Sequence, residues 1–224
     1  MKNLLLLSTI LLLVSCASNP NDTDDMNELS LQSELIERGE DAQVQKVYEI
    51  GDKVADFELL STDENIVNIN DYKDQKGLVV IFTCNHCPYS VAYEDRINAL
   101  NVKFTDMGYP IVAINPNDPK IQPGDSFENM KIRSKEKTFT FPYLFDAKQE
   151  VFKKFGATKT PHVFVLNNRE NEFELVYVGA IDDHEDPDKV KDKFLESAIE
   201  ALVAGKQPDP SYTKAFGCSI KVAK

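Results

Sequence analysis

The chain has 224 residues, enough for one domain of ordinary size with extensions and for a core that needs no staples. Its formal net charge is −12, which argues against nucleic acid as a partner, because that function needs a basic face. Four cysteines include a single Cys-x-x-Cys and no second pair, so a structural zinc site is excluded and no metal or other cofactor is expected.

Met1-Lys2-Asn3 is a short basic start, and Leu4 to Val14 is an apolar run of signal-peptide length, too short to span a bilayer comfortably. The run ends Leu13-Val14-Ser15-Cys16, which resembles a bacterial lipobox. That resemblance implies removal of residues 1–15, acylation of Cys16, and a lipid-anchored, extracytoplasmic protein of the cell envelope. Each buried CH₂ of an acyl chain adds roughly 0.8 kcal/mol of membrane affinity. Residues 16–46 are polar and acidic and read as a solvated tether.

A folded domain is expected over 47–205, followed by a tail over 206–224. Gly51 to Leu59 reads as a turn entering an edge strand, and Ile66 to Ile69 as a second short strand. Leu78 to Phe82 is a continuous apolar run, the pattern of a strand buried on both faces. It stops at Cys84-Asn85-His86-Cys87-Pro88. Tyr93, Ile97, Leu100, Phe104 and Met107 then recur at helical spacing, and Gly108 ends that helix. Pro110 to Ile114 is the next strand, parallel to the first across a right-handed crossover. A helix over Ser126–Lys137 with Ser126 as N-cap, a short strand at Pro142–Phe145, and a helix over Gln149–Phe155 follow. Thr160 to Leu166 and Phe173 to Val178 form a β-hairpin, and Pro187–Ala204 carries the apolar face of a last helix. The tail holds Cys218.

The Cys-x-x-Cys carries the chemistry. Cysteines three apart at the first turn of a helix share a face and come within disulfide reach. The helix N-terminus stabilises a thiolate. A histidine beside a thiolate, as His86 is in sequence, stabilises the reduced form and makes the disulfide more oxidising.

Five stretches carry a family resemblance: Gly51–Phe57, Phe82–Tyr89, Ala113–Pro119, Thr160–Phe164 and Gly217–Lys221. Together with the order of elements they resemble the peroxiredoxin-like branch of thioredoxin-fold redoxin proteins, the alkyl hydroperoxide reductase and thiol-specific antioxidant superfamily. The resemblance implies a three-layer α/β fold, a mixed central sheet with helices on both faces. It implies Cys84 as nucleophilic thiol, Cys87 as resolving thiol, and Pro161 as a cis-proline beside them. Asn85, His86, Thr160 and Pro161 would face the substrate or tune the pair. Cys218 reads either as a buried structural thiol or as a third redox thiol.

The implied activity is that of a membrane-anchored thiol–disulfide oxidoreductase. Its partners would be a protein bearing a disulfide or thiols and a further thiol electron donor or acceptor. The alternatives are a thiol peroxidase and a Sco-like copper or redox carrier. Authentic peroxiredoxins place a threonine three residues before their reactive cysteine and an arginine beside it. Aligned on Cys87, the threonine position is Cys84, and Arg96 lies well down the helix. Thioredoxin keeps a buried acid beneath its disulfide, and the matching position here is Leu78.

Overall fold

A computed structural model describes residues 46–223. The expected signal segment, Cys16 and the tether lie outside the described residues. The central element is strand β3 (Gly77–Phe82), six residues with every one buried. Alternation explains how six consecutive apolar side chains are all accommodated. Val79 and Ile81 enter one core with Tyr93, Ile97, Leu100 and Phe104, while Leu78, Val80 and Phe82 enter the other with Val151, Phe152 and Phe155.

Around β3 run β1 (Glu58–Ser61), β2 (Ile66–Asn68), β4 (Ile111–Asn115), β5 (Tyr143–Phe145), β7 (His162–Arg169) and β8 (Glu172–Gly179). The sheet order is β2-β1-β5-β4-β3-β7-β8. β4 pairs parallel with both β3 and β5, and the other pairings are antiparallel. Helices α1 (Pro88–Met107) and α4 (Phe194–Val203) cover one face, and α3 (Val151–Phe155) covers the other. Helix α2 (Phe127–Glu136) follows β4 and sends Met130 into the α1 side. This is the expected three-layer thioredoxin-like α/β fold, with a mixed sheet and helices on both faces. Among the described residues, no helix is long and apolar enough to cross a membrane.

Local signals set the element ends. Gly108 caps α1 in the left-handed region (φ 88°), which a residue with a Cβ adopts at a cost. The Ser126 hydroxyl accepts the Asn129 N–H and starts α2. The last helix is shorter than its apolar pattern predicts. Pro187–Lys189 is one 3₁₀ turn, and α4 begins only at Phe194. The Asp183 carboxylate accepts the N–H groups of Lys191 and Asp192, so that segment is held as a loop.

The tail docks on the domain. It lies in the same compact unit as the domain, Gln45–Lys224. Its strand β9 (Cys218–Ser219) pairs antiparallel with β6 (Lys159–Thr160), which directly precedes Pro161. Phe216 packs edge-on against Tyr89 and tilted against Tyr93, at 6.0 and 6.3 Å between ring centroids.

Gly77 opens β3 where no side chain fits. A Cβ there would meet the Leu166 carbonyl oxygen and the Tyr109 ring, both at 2.3 Å. Gly77→Ala is expected to lower stability by about 1–3 kcal/mol through overpacking, read from equilibrium denaturation.

Candidate redox site

The chain leaves β3 at Phe82, makes a short turn through Thr83–His86, and enters α1 at Pro88 with Cys87 as the N-cap residue. Cys87, not Cys84, therefore sits at the positive end of the helix. Pro at the first helical position costs nothing, because its missing N–H would be unpaired there anyway. Both sulfurs are shielded: Cys84 is 2% exposed and Cys87 fully buried.

Thr160 binds both. Its hydroxyl lies 3.2 Å from the Cys84 sulfur, and its carbonyl accepts from the Cys87 thiol at 3.3 Å. The peptide bond from Thr160 to Pro161 is cis. Cys218 is the register partner of Thr160 across the β6–β9 pair, which places the third thiol over the same point. All three cysteines are free thiols.

The charges separate the thiols. Cys87 is drawn down to about 4: the Cys84 thiol favours its charged form most, burial opposes it, and the Cys218 thiol with the backbone N–H groups of Ser90 and Cys218 adds further stabilisation. Cys84 is pushed well up by its hydrogen bond to Cys87, by burial and by the nearby Asp125 carboxylate. Cys218 is raised to about 11 by burial and by the Cys87 charge. The electrostatics thus favour charge on Cys87 over Cys84 and Cys218. The direction of these shifts differs from the expectation that Cys84 is the low-pKa member. The helix begins after the second cysteine, so the first lies outside the helix field and beside a carboxylate.

That carboxylate was not legible in the sequence. Leu78 fills the position where thioredoxin keeps its acid, but Asp125, fully buried, arrives from the 3₁₀ turn Pro123–Asp125. It accepts the Asn85 backbone N–H at 2.8 Å, pairs with His86 Nδ1 at 2.5 Å, and accepts Asn117 Nδ2 at 2.7 Å. A carboxylate oxygen of Asp125, a ring nitrogen of His86 and the Cys84 sulfur all lie within 4.8 Å of one another. Tyr143 closes the site from β5, donating to Asn85 Oδ1 at 3.0 Å. Its phenol is pushed well up, chiefly by burial. His162 follows the cis-proline but is committed elsewhere. Its Nδ1 accepts the Thr158 N–H, its ring stands 4.6 Å from that of Phe164, and burial lowers it to about 4. His184 is distant in the acidic loop, where its Nδ1 accepts the Asp186 N–H.

Residues 50–171, more than half of the chain, match the AhpC/TSA family. The chain belongs to that family. It is also similar to two solved structures: a hypothetical protein from Sinorhizobium meliloti 1021 and an uncharacterized conserved protein from Geobacillus kaustophilus. Each is 32% identical with a TM-score of 0.72. The first match covers 80% of this chain and 97% of that one, and the second covers 79% and 94%. No curated protein matches the chain. Family and fold make this an AhpC/TSA thiol redox protein.

The arginine that peroxidase members of this family place beside the thiol has no counterpart in the geometry. Each of the three arginines among the described residues is held by a carboxylate. Arg96 pairs with Asp182 and also donates to the carbonyls of His184 and Glu185. Arg133 makes a bidentate pair with buried Glu94, at 2.7 Å for both bonds, and Arg169 pairs with Glu174.

The pKa ordering is testable by following thiolate ultraviolet absorption in the reduced protein. A transition near pH 4 is expected, lost in Cys87→Ser and moved upward in Cys84→Ser, which replaces the main donor. Because the folded pKa lies below the unfolded thiol value of about 8.5, the charged thiol contributes stability fully above that value. That contribution is lost as the pH falls through about 4.

Proposed function

We propose that this AhpC/TSA protein is a thiol–disulfide oxidoreductase in which Cys87 attacks and Cys84 resolves. The observation that carries the reading is the position of Cys87 at the α1 N-cap, with Cys84 three residues before it and the cis Thr160–Pro161 bond alongside. In this reading, the Cys87 thiolate attacks a substrate disulfide and forms a mixed disulfide while one substrate thiolate leaves. Cys84 then loses its proton and attacks the Cys87 sulfur. A Cys84–Cys87 disulfide forms and the second substrate thiol departs, so two electrons pass to the substrate. A protein thiol donor closes the cycle by the reverse exchange.

Asp125 is the group placed to take the Cys84 proton. Its charge raises the Cys84 thiol while that thiol is protonated, and His86 and Asn117 orient it. It supplies from another direction what Leu78 cannot. Asn85 and His86 tune the site through this carboxylate rather than by touching Cys87. Asp125→Asn is expected to slow resolution by about 10²-fold, the scale of one lost acid–base group. The mixed disulfide on Cys87 would then accumulate and be visible by mass spectrometry. Faster resolution in that variant would remove Asp125 from the role.

Exchange is favoured over peroxide reduction by the committed arginines. A peroxidase needs donors aimed at the breaking O–O bond before reaction, and a guanidinium already paired with a carboxylate is not free to supply one. The reduced protein is expected to reduce a disulfide substrate, with Cys87→Ser abolishing the reaction. Hydrogen peroxide should oxidise it no faster than an ordinary low-pKa thiol. A stopped-flow rate several orders of magnitude higher would promote the peroxidase reading.

The apolar Leu4–Val14 run and Cys16 support a lipid anchor outside the cytoplasm, where a redox partner must supply or remove electrons. Cys16→Ser is expected to release the protein from membranes or block its processing. Unchanged membrane retention would reject the anchor.

A further inference from the structure

The substrate reading of Thr160–Pro161 needs a free backbone edge beside the thiols, and that edge is occupied. Thr160 and Lys159 pair antiparallel with Cys218 and Ser219 of the tail. An extended segment docked antiparallel on the strand before Pro161, with a cysteine opposite Thr160, is the arrangement a substrate chain would adopt on this site. The tail is built to hold it. Gly217 lies at φ +144°, and a Cβ there would stand 2.2 Å from the Thr160 carbonyl oxygen, so close approach requires glycine. Phe216 anchors one side on Tyr89 and Tyr93. On the other side, the Lys221 N–H donates to Asn117 Oδ1 at 2.7 Å and its carbonyl accepts from Asp118 and Gln149. Asn117 is the same residue that holds Asp125. Cys218 thus stands across the strand pair from Thr160, whose carbonyl contacts the Cys87 sulfur at 3.3 Å.

We propose that the tail strand is an intramolecular occupant of the substrate edge and that Cys218 is a second resolving thiol for Cys87, latching the tail across the site when that bond forms. The inference rests on the exchange reading. From a mixed disulfide of Cys87 with a substrate thiol, the Cys218 sulfur loses its proton and attacks the Cys87 sulfur. The bond to the substrate breaks, the Cys87–Cys218 bond forms, and the substrate leaves as a thiol carrying the proton. From the Cys84–Cys87 disulfide the same attack expels Cys84, which takes up a proton, and no net oxidation occurs. The two disulfides differ in outcome. Cys84–Cys87 leaves the tail free to lift from the edge, whereas Cys87–Cys218 fixes it there and excludes the next substrate.

The test uses the full chain with oxidised glutathione as the disulfide. In Cys84→Ser, non-reducing tryptic mapping should join Gly77–Arg96 to Ala215–Lys221, with the glutathione adduct on Cys87 only transient. A persistent adduct with no joined peptides would overturn the latch. In the same background Gly217→Ala should slow the joining and speed alkylation of reduced Cys87 by iodoacetamide, each at least ten-fold. Phe216→Ala should act in the same direction and serves if the glycine variant folds poorly. Unchanged rates in both would show that the tail does not cover the site. Cys218→Ser, where Cys84 and Cys87 alone can pair, reports separately on exchange. No disulfide there, beside a bridge in Cys84→Ser, would overturn the assignment of Cys84 as resolving thiol and leave the latch standing.

Discussion

The burial of two thiols, Cys84 and Cys87, at the start of α1 sets the demands on this structure. A charge taken out of water must be paid for by hydrogen bonds and oriented dipoles. Here the stabilising groups come from three separate parts of the chain. The α1 N-terminus supplies its field, the turn after β3 supplies the Cys84 thiol, the tail supplies Cys218, and the Ser90 N–H closes the ring. None of these can be displaced without changing the charge. The two-faced burial of β3 fixes the turn, because its six side chains are locked alternately into two cores.

The Asp125 carboxylate follows from the same constraint. A second negative charge near a thiolate is unfavourable unless it is balanced, and His86, Asn117 and the Asn85 N–H converge on it. The result is a division of labour within one Cys-x-x-Cys. The carboxylate disfavours charge on Cys84, and the helix end favours it on Cys87. Two groups whose environments drive their pKa values apart are the general signature of assigned acid and base roles. Such a pair needs no arginine, which is consistent with Arg96 and Arg133 being spent on Asp182 and Glu94.

What the sequence made legible was whatever depends on local pattern. The apolar run at Leu78–Phe82, the helical face from Tyr93 to Phe104, the Ser126 cap and the glycine stops at 108 and 156 each follow from one element's own residues. Cys84, Cys87 and Thr160 could be brought together because the order of elements implied it. The proposed division of roles between the cysteines was not legible, since it turns on whether the helix starts before or after His86 and on a carboxylate 38 residues past Cys87. The sequence signal for Asp125 was only an acidic residue in a Pro-Gly turn, which reads as solvated surface. The tail strand of two residues is too short for any periodicity. Its glycine at 217 was the available clue, meaningful once the Thr160 carbonyl is known to lie against it.

The tail's grip is strong in specificity and modest in energy. Its polar ties are the β6–β9 pairing, the contacts of Lys221 with Asn117, Asp118 and Gln149, and the Ala223 N–H to Gln149 Oε1 at 2.7 Å. An ordinary hydrogen bond nets only about 1 kcal/mol, and the half-buried Phe216 adds little more than its own burial. A few such contacts can be broken without unfolding the sheet beneath, the condition for local opening at a binding edge. Lifting the tail would also remove the Cys218 donors from the Cys87 thiolate, and so raise its pKa and its intrinsic nucleophilicity together. Covered, the thiolate is stable and shielded; uncovered, it is more reactive per thiolate and beside a vacant strand edge. The same short strand therefore governs both access to the thiol and its reactivity.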